Sequence, residues 1–197
     1  RTVTGVQTCA LPILLVESGL DADLFGLVFG GAETGRALVD AVDYVGFTGS
    51  SANGRRVAVA AAERLIPYSL ELGGKNPMLV LRDAPLDHAA DGLIAGAFAN
   101  AGQTCISIER VYVEEPVFDR FAALVADRIA KVKVGWSTGF DTDMGSLIHA
   151  AHADRVRTAV SSACAAGARP LSTSARTGLG PAFVEPTVLL NVEPGSP

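Results

Sequence analysis

Two side chains able to do covalent chemistry at a carbonyl stand out from the sequence. Glu71 heads Glu-Leu-Gly-Gly-Lys at 71–75, and Cys105 closes Gly-Gln-Thr-Cys at 102–105. A thiolate is the strongest nucleophile among ordinary side chains, and a carboxylate that does not itself attack can take a proton from water or from the thiol. Free cysteine has a pKa of about 8.5, so attack at neutral pH needs N–H dipoles, a cation or a base near the sulfur. An isolated cysteine more often packs as a small hydrophobe. Here Gly102 permits close backbone approach, and Gln103 and Thr104 argue against a wholly apolar pocket. Glu71 closes an apolar strand and precedes two glycines, which points to an interior carboxylate with a raised pKa. The ordinary alternative is a surface carboxylate or an ion-paired one, with Lys75 a ready partner.

A third feature is Phe47-Thr48-Gly49-Ser50-Ser51-Ala52-Asn53-Gly54, a strand that runs through glycine and hydroxyls into a helix. Such a turn presents unpaired N–H groups and the positive end of a helix dipole to a phosphate or pyrophosphate. Gly49 and Gly54 allow close approach, and Ser50 and Ser51 add hydroxyls. The same pattern also serves as a plain N-cap, and it is not the GxGxxG fingerprint. His149 and His152 sit three apart on a helix with no third ligand at metal spacing, so they read as a solvated face and no metal is expected. His88 reads as a polar helix position and Cys164 as packing. Gly49-Ser50 is not the GxSxG elbow of hydrolases.

The elements that must position these residues alternate between strand and helix. Val16–Gly19 reads as a helix end stopped by glycine, Leu24–Phe29 as a buried strand, and Ala32–Ala41 as a helix. Val42–Thr48 is a strand, Ala52–Leu65 an Ala-rich helix, and Tyr68–Leu72 a strand. Further on come a strand at Met78–Leu81, a helix at Leu86–Asn100 and a strand at Arg110–Glu114. A helix with proline at its start spans Pro116–Val132, and another spans Ala150–Ala166 ahead of the apolar run Val184–Val192. This order predicts an α/β fold of parallel βαβ units. A domain boundary is expected near Gly73 and Gly74, giving units of 14–72 and 73–197. Residues 1–13, with Cys9, share no helical or strand period with the rest of the chain and read as a non-native or linker-derived segment.

Composition narrows the partners. No apolar run among 197 residues reaches membrane-spanning length. A net charge of −5 without a basic stripe argues against nucleic acid and against an anionic membrane surface, and favours a small-molecule ligand. Three scattered cysteines form neither a CxxC pair nor a disulfide framework, which fits a reducing cytoplasm.

In order along the chain, Phe47-Thr48-Gly49-Ser50, Glu71-Leu72-Gly73-Gly74-Lys75-Asn76-Pro77, Asp83-Ala84-Pro85-Leu86-Asp87, Gly102-Gln103-Thr104-Cys105 and Pro186-Thr187-Val188 resemble the signatures of the NAD(P)-dependent aldehyde dehydrogenases. The likeness covers about Leu14 to Asn191. Gly102–Val113, with Ile106-Ser107-Ile108-Glu109-Arg110, is most similar to the succinate-semialdehyde dehydrogenase branch. The resemblance implies part of a Rossmann-like cofactor domain followed by part of an α/β catalytic domain. It implies an aldehyde substrate, NAD or NADP as cofactor, and a homo-oligomeric parent enzyme. Cys105 would attack the aldehyde and pass through a thiohemiacetal and a thioester, and its N–H would help hold the oxyanion. Glu71 would activate the hydrolytic water, favouring a free acid over a coenzyme A ester. Gly49, Ser50, Ser51 and Gly54 would meet the cofactor's pyrophosphate region, and Leu72 would lie beside the nicotinamide. Some members of that branch have a redox cysteine where this chain has Ser107, so thiol switching by that route is not expected.

Other segments of the family's pattern are missing. These are the upstream Trp-Asn segment and ribose-binding lysine, the downstream Glu-x-Phe-Gly-Pro segment, and the oligomerisation strands. The chain therefore reads as an internal piece with little activity alone, since one lost oxyanion donor costs ~10²–10³ in turnover. Two other classes stay open: a silent nucleotide- or partner-binding fragment, and a thiol-dependent acyltransferase or esterase.

Overall fold

The computed structural model describes residues 13–139, 141–171 and 178–193. The reading of residues 1–13 as non-native falls, but for Ile13, outside them. The chain divides into two compact units between Gly74 and Lys75. Among the described residues no helix is long and apolar enough to cross a membrane.

In the first unit a helical stretch at 13–17 stops where Gly19 turns left-handed at φ +92. The Gly19 N–H donates to the Val16 carbonyl and the Leu20 N–H to the Leu15 carbonyl, so the last carbonyls of the stretch are satisfied. Leu24–Phe29 is not the buried strand expected. No strand pairs with it among the described residues, and Leu24, Val28 and Phe29 are exposed. An apolar run is a strand only where a neighbour takes up its backbone groups.

Helix α1 (Ala32–Ala41), strand β1 (Val45–Gly49), helix α2 (Ser51–Glu63) and strand β2 (Tyr68–Leu72) come next. β1 and β2 are parallel, with Val45 opposite Tyr68, Thr48 opposite Glu71 and Gly49 opposite Leu72, so α2 is the crossover of a βαβ unit. Ser50 caps α2, its Oγ accepting from the Asn53 N–H. The far end of α2 closes by the same double bond as the stretch before Gly19, Ile66 N–H to Ala61 and Leu65 N–H to Ala62. The left-handed residue is here Leu65, at φ +57 and 92% exposed.

The second unit repeats the pattern. Strand β3 (Asn76–Val80), helix α3 (Leu86–Phe98) and strand β4 (Ile108–Val113) form a parallel βαβ unit, and helix α4 (Glu115–Lys131) packs on α3. Helix α3 buries Leu86, Ala90 and Leu93, and α4 buries Phe121, Val125 and Ile129, the spacing of a single helix face. With Val80 these residues make the core. Pro116 lies in the first turn of α4, where a missing N–H costs nothing. Arg128 holds Asp87 and Asp91 of α3 at 2.8 and 3.1 Å. Helix α5 (Ala150–Ala165) leads to the short strand β5 (Arg169–Pro170), which pairs antiparallel with β6 (Leu189–Leu190). Only those two residues of the run Val184–Val192 are in a strand.

Helix α3 also ends earlier than expected. After Phe98 the chain enters a 3₁₀ turn, Ala99–Gly102, in which Asn100 (φ 51) and Ala101 (φ 56) are left-handed, followed by Gly102 (φ +73). Three successive left-handed residues reverse the chain just ahead of Cys105.

Candidate active site

In the first unit the predicted residues collect at the C-terminal ends of β1 and β2. Gly49 and Thr48 face Leu72 and Glu71 across the ladder, and Ser50 and Ser51 begin α2. The two glycines serve packing. A Cβ on Gly54 would fall 2.6 Å from Leu72 Cδ2, and one on Gly49 would fall 2.7 Å from the Phe47 ring. Gly54 thus lets α2 close onto the Leu72 side chain. Ser50 is an N-cap, the plainer of its two readings. The cap uses the Asn53 N–H and the Ser50 carbonyl takes the Gly54 N–H. The N–H groups of Ser51 and Ala52, first in the helix, precede any i−4 carbonyl within it and stay available to an anion.

Glu71 is exposed, not interior. It sits where a two-stranded ladder ends, opposite exposed Thr48, with no third strand among the described residues to cover it. Lys75 is not its partner: Lys75 Nζ lies 3.0 Å from Glu109 Oε2.

In the second unit Cys105 is an exposed free thiol in a β-turn closed by Ser107 N–H to the Thr104 carbonyl at 3.1 Å. Two left-handed residues and a glycine deliver the chain to this turn. Gly102 is required twice over, since its φ is +73 and a Cβ there would lie 3.1 Å from the Ala97 carbonyl oxygen. Gln103 fixes the approach. Its N–H and Nε2 donate to the Asn100 carbonyl, Asn100 Nδ2 donates back to the Gln103 carbonyl, and Gln103 Oε1 accepts from the Ile148 N–H at 2.8 Å. Beyond the thiol, Ser107 is buried with its Oγ 3.3 Å from both the Gly96 and Ala97 carbonyls. Among the described residues neither the Cys105 N–H nor its sulfur has a hydrogen-bond partner. An exposed thiol with a free N–H on a pinned turn is suited to attack a carbonyl and to hold the oxyanion that results.

The profile of the aldehyde dehydrogenase family matches residues 2–197. The chain belongs to the aldehyde dehydrogenase family. It is 47% identical over 190 residues to a Mycobacterium tuberculosis protein provisionally named succinate-semialdehyde dehydrogenase (NADP+) 2, covering 94% of this chain and 37% of that protein. It is 36% identical over 192 residues to betaine aldehyde dehydrogenase 2 of Rhizobium meliloti, covering 96% of this chain and 40% of the relative. Among solved structures it resembles the succinate-semialdehyde dehydrogenase of Burkholderia pseudomallei, with TM-score 0.89, 36% identity, and coverage of 95% of this chain and 39% of that one. The NAD-dependent aldehyde dehydrogenase of Sinorhizobium meliloti gives TM-score 0.91 at 36% identity, covering 96% and 39%. The chain thus spans about two fifths of the length of these family members.

Within this aldehyde dehydrogenase chain, the structure brings Gly54 against Leu72 and sets Glu71 and Leu72 beside Thr48 and Gly49 in one unit. Cys105 belongs to the other unit. His149 caps α5, its Nδ1 accepting from the His152 N–H at 3.0 Å, and His152 Nδ1 lies 2.7 Å from Arg155. His152 is held below the usual histidine pKa by burial, with the Arg155 and His149 charges adding to it. Among the described residues no group of three His, Cys, Asp or Glu could hold a metal ion.

Asn76 escapes reasoning from residue types. Its Nδ2 donates to the carbonyls of Cys105 at 2.7 Å and Ser107 at 2.9 Å. The one local signal is a polar amide opening an apolar strand just before Pro77, a place where the helical region is disfavoured.

Proposed function

We propose that the polypeptide containing this chain oxidises an aldehyde to the carboxylic acid, with succinate semialdehyde the best candidate substrate and NAD+ or NADP+ the oxidant. The observation that carries this reading is Cys105, exposed on a turn tied down on every side but its own sulfur and N–H. The family membership and the name of the mycobacterial relative support the substrate class.

Cys105 Sγ, as thiolate, forms a bond to the aldehyde carbon, and the carbonyl π electrons move to oxygen, giving the oxyanion of the thiohemiacetal. The Cys105 N–H donates to that oxygen. NAD+ or NADP+, when bound, supplies the hydride acceptor that takes the thiohemiacetal to a thioester. Glu71 then takes a proton from a water whose oxygen attacks the thioester carbon, and Cys105 leaves as thiolate with the acid free. The exposed carboxylate of Glu71, next to Leu72 at the open end of the ladder, is within reach of solvent water.

Gly49, Ser50, Ser51, Gly54 and Leu72 are the residues that would hold the cofactor. The free N–H groups at the start of α2 fit a pyrophosphate, and Leu72, held against Gly54, offers an apolar surface to a ring. On this reading residues 14–72 belong to a dinucleotide-binding domain and 73–197 to a thiol domain. The parent enzyme is a soluble cytoplasmic homo-oligomer, and the 197-residue chain has little activity by itself.

The test is formation of reduced nicotinamide by the full-length protein from succinate semialdehyde and from a simple aliphatic aldehyde, with each cofactor. Turnover that vanishes in Cys105→Ala is expected. Turnover that persists without Cys105, or no turnover with any aldehyde, removes the reading.

A further inference from the structure

The side chain of Asn76 spends both of its N–H donors on the turn that bears the thiol. One goes to the Cys105 carbonyl at 2.7 Å and the other to the Ser107 carbonyl at 2.9 Å. The local register explains how it gets there. Asn76 pairs with Ile108 but Pro77 pairs with Arg110, so Glu109 is an extra residue in β4. That bulge shifts the start of β4 against Asn76, and Glu109 is taken up by Lys75.

The choice of acceptor matters. In a four-residue turn from Thr104 to Ser107, Cys105 is the second residue, and its carbonyl belongs to the central peptide. Types I and II differ mainly by a flip of that peptide, with ψ of the second residue moving from about −30° to about +120°. The closing hydrogen bond from Ser107 to Thr104 is compatible with both. It therefore fixes the ends of the turn and leaves the middle undetermined. A donor on the Cys105 carbonyl decides between the two, and Asn76 is that donor. Ser107 holds only the far end, through its buried hydroxyl, and Gln103 holds only the near end.

We propose that Asn76 is a positioning residue for Cys105: by holding the carbonyls of Cys105 and Ser107 together it keeps the peptide after Cys105 in one orientation, ties the turn to the start of β3 and so fixes where the Cys105 backbone carries its sulfur. The effect on turnover rests on the proposed role of Cys105 as nucleophile. The effect on thiol reactivity does not.

The test uses the full-length protein with Asn76→Ala, which removes both donors, and Asn76→Asp, which keeps the shape but sets carboxylate oxygens against two carbonyls. Iodoacetamide alkylation of Cys105 is followed by peptide mass as a function of pH, with Cys164 in the same sample as internal reference. In Asn76→Asp the alkylation profile of Cys105 moves to higher pH while that of Cys164 stays in place. In Asn76→Ala kcat falls on the order of ten-fold with cofactor KM unchanged, the signature of a displaced reacting group. Asn76→Ser, which keeps one donor, lies between parent and Ala and stands in for a variant that fails to fold. An unchanged Cys105 profile with kcat near the parent's overturns the proposal. So does faster alkylation of Cys164 in step with Cys105, which marks general loosening. If Cys105→Ser keeps turnover, the nucleophile assignment fails, and the alkylation profiles still decide the role of Asn76.

Discussion

The same substitution at two glycines of the thiol region is expected to have opposite effects. Gly102 is left-handed at φ +73, and a Cβ there would meet the Ala97 carbonyl at 3.1 Å. Gly92 lies inside α3 with nothing within 4 Å of its would-be Cβ. Alanine in the left-handed region costs about 1–2 kcal/mol. The clash is with backbone, which cannot swing aside, and the reduced freedom of the unfolded chain returns about 0.4–1 kcal/mol. Gly102→Ala should therefore lose about 1–2 kcal/mol once the clash is included. Gly92→Ala should gain up to about 1 kcal/mol, because glycine is the poorer helix former. The two variants differ by about 1–3 kcal/mol, or roughly 5- to 150-fold in the folding equilibrium. Urea unfolding followed by far-ultraviolet circular dichroism measures both, with the midpoint shift read at constant slope. Gly102→Ala should also slow Cys105 alkylation or turnover, while Gly92→Ala leaves both alone. A Gly102→Ala variant as stable as Gly92→Ala would refute the claim that the chain before Cys105 must be left-handed.

Leu65→Gly should raise the stability of the first unit by about 0.5–1 kcal/mol in the same assay, because a Cβ-bearing residue occupies the left-handed position at the end of α2. The Arg82 guanidinium, through its hydrogen bonds, holds the Glu114 carboxyl below the usual carboxylate range. A lowered folded pKa means that this contribution is complete above the ordinary value of about 4.3 and is lost as pH falls through the lowered one. Glu114→Gln should therefore be less stable than the parent near neutrality, with the difference closing in acid, as thermal melts across pH will measure. His152 shows the opposite charge state, its folded pKa lowered by burial, Arg155 and His149. Its neutral form is the folded form, so stability should decline as pH falls below about 6.5. His152→Gln, which does not titrate, should flatten that decline in the same melts.

The alternation of apolar and helical segments suffices for the βαβ order, and the Gly19 stop, Ala32–Ala41 and Tyr68–Leu72 match the structure at both ends. Leu24–Phe29 departs from expectation because an apolar run becomes a strand only through a partner, and no local pattern supplies one. The left-handed Asn100 and Ala101 are illegible for a different reason: non-glycine residues enter that region only when their surroundings hold them there, here Gln103 and the end of α3. The glycines of the first unit suggest close approach of a ligand, and what no local pattern shows is that they also make room for Phe47 and Leu72. Lys75 and Asn76 are visible as types, but a register shift opposite Glu109 chooses their partners.

The most direct measurement of the proposed chemistry is the mass of the Cys105 peptide after the full-length Glu71→Gln protein is mixed with succinate semialdehyde and oxidised cofactor. With hydrolysis blocked, the account predicts a burst of reduced nicotinamide matching the sites present and a succinyl group on Cys105. Steady turnover in Glu71→Gln, or a burst with Cys105 unmodified, would contradict it.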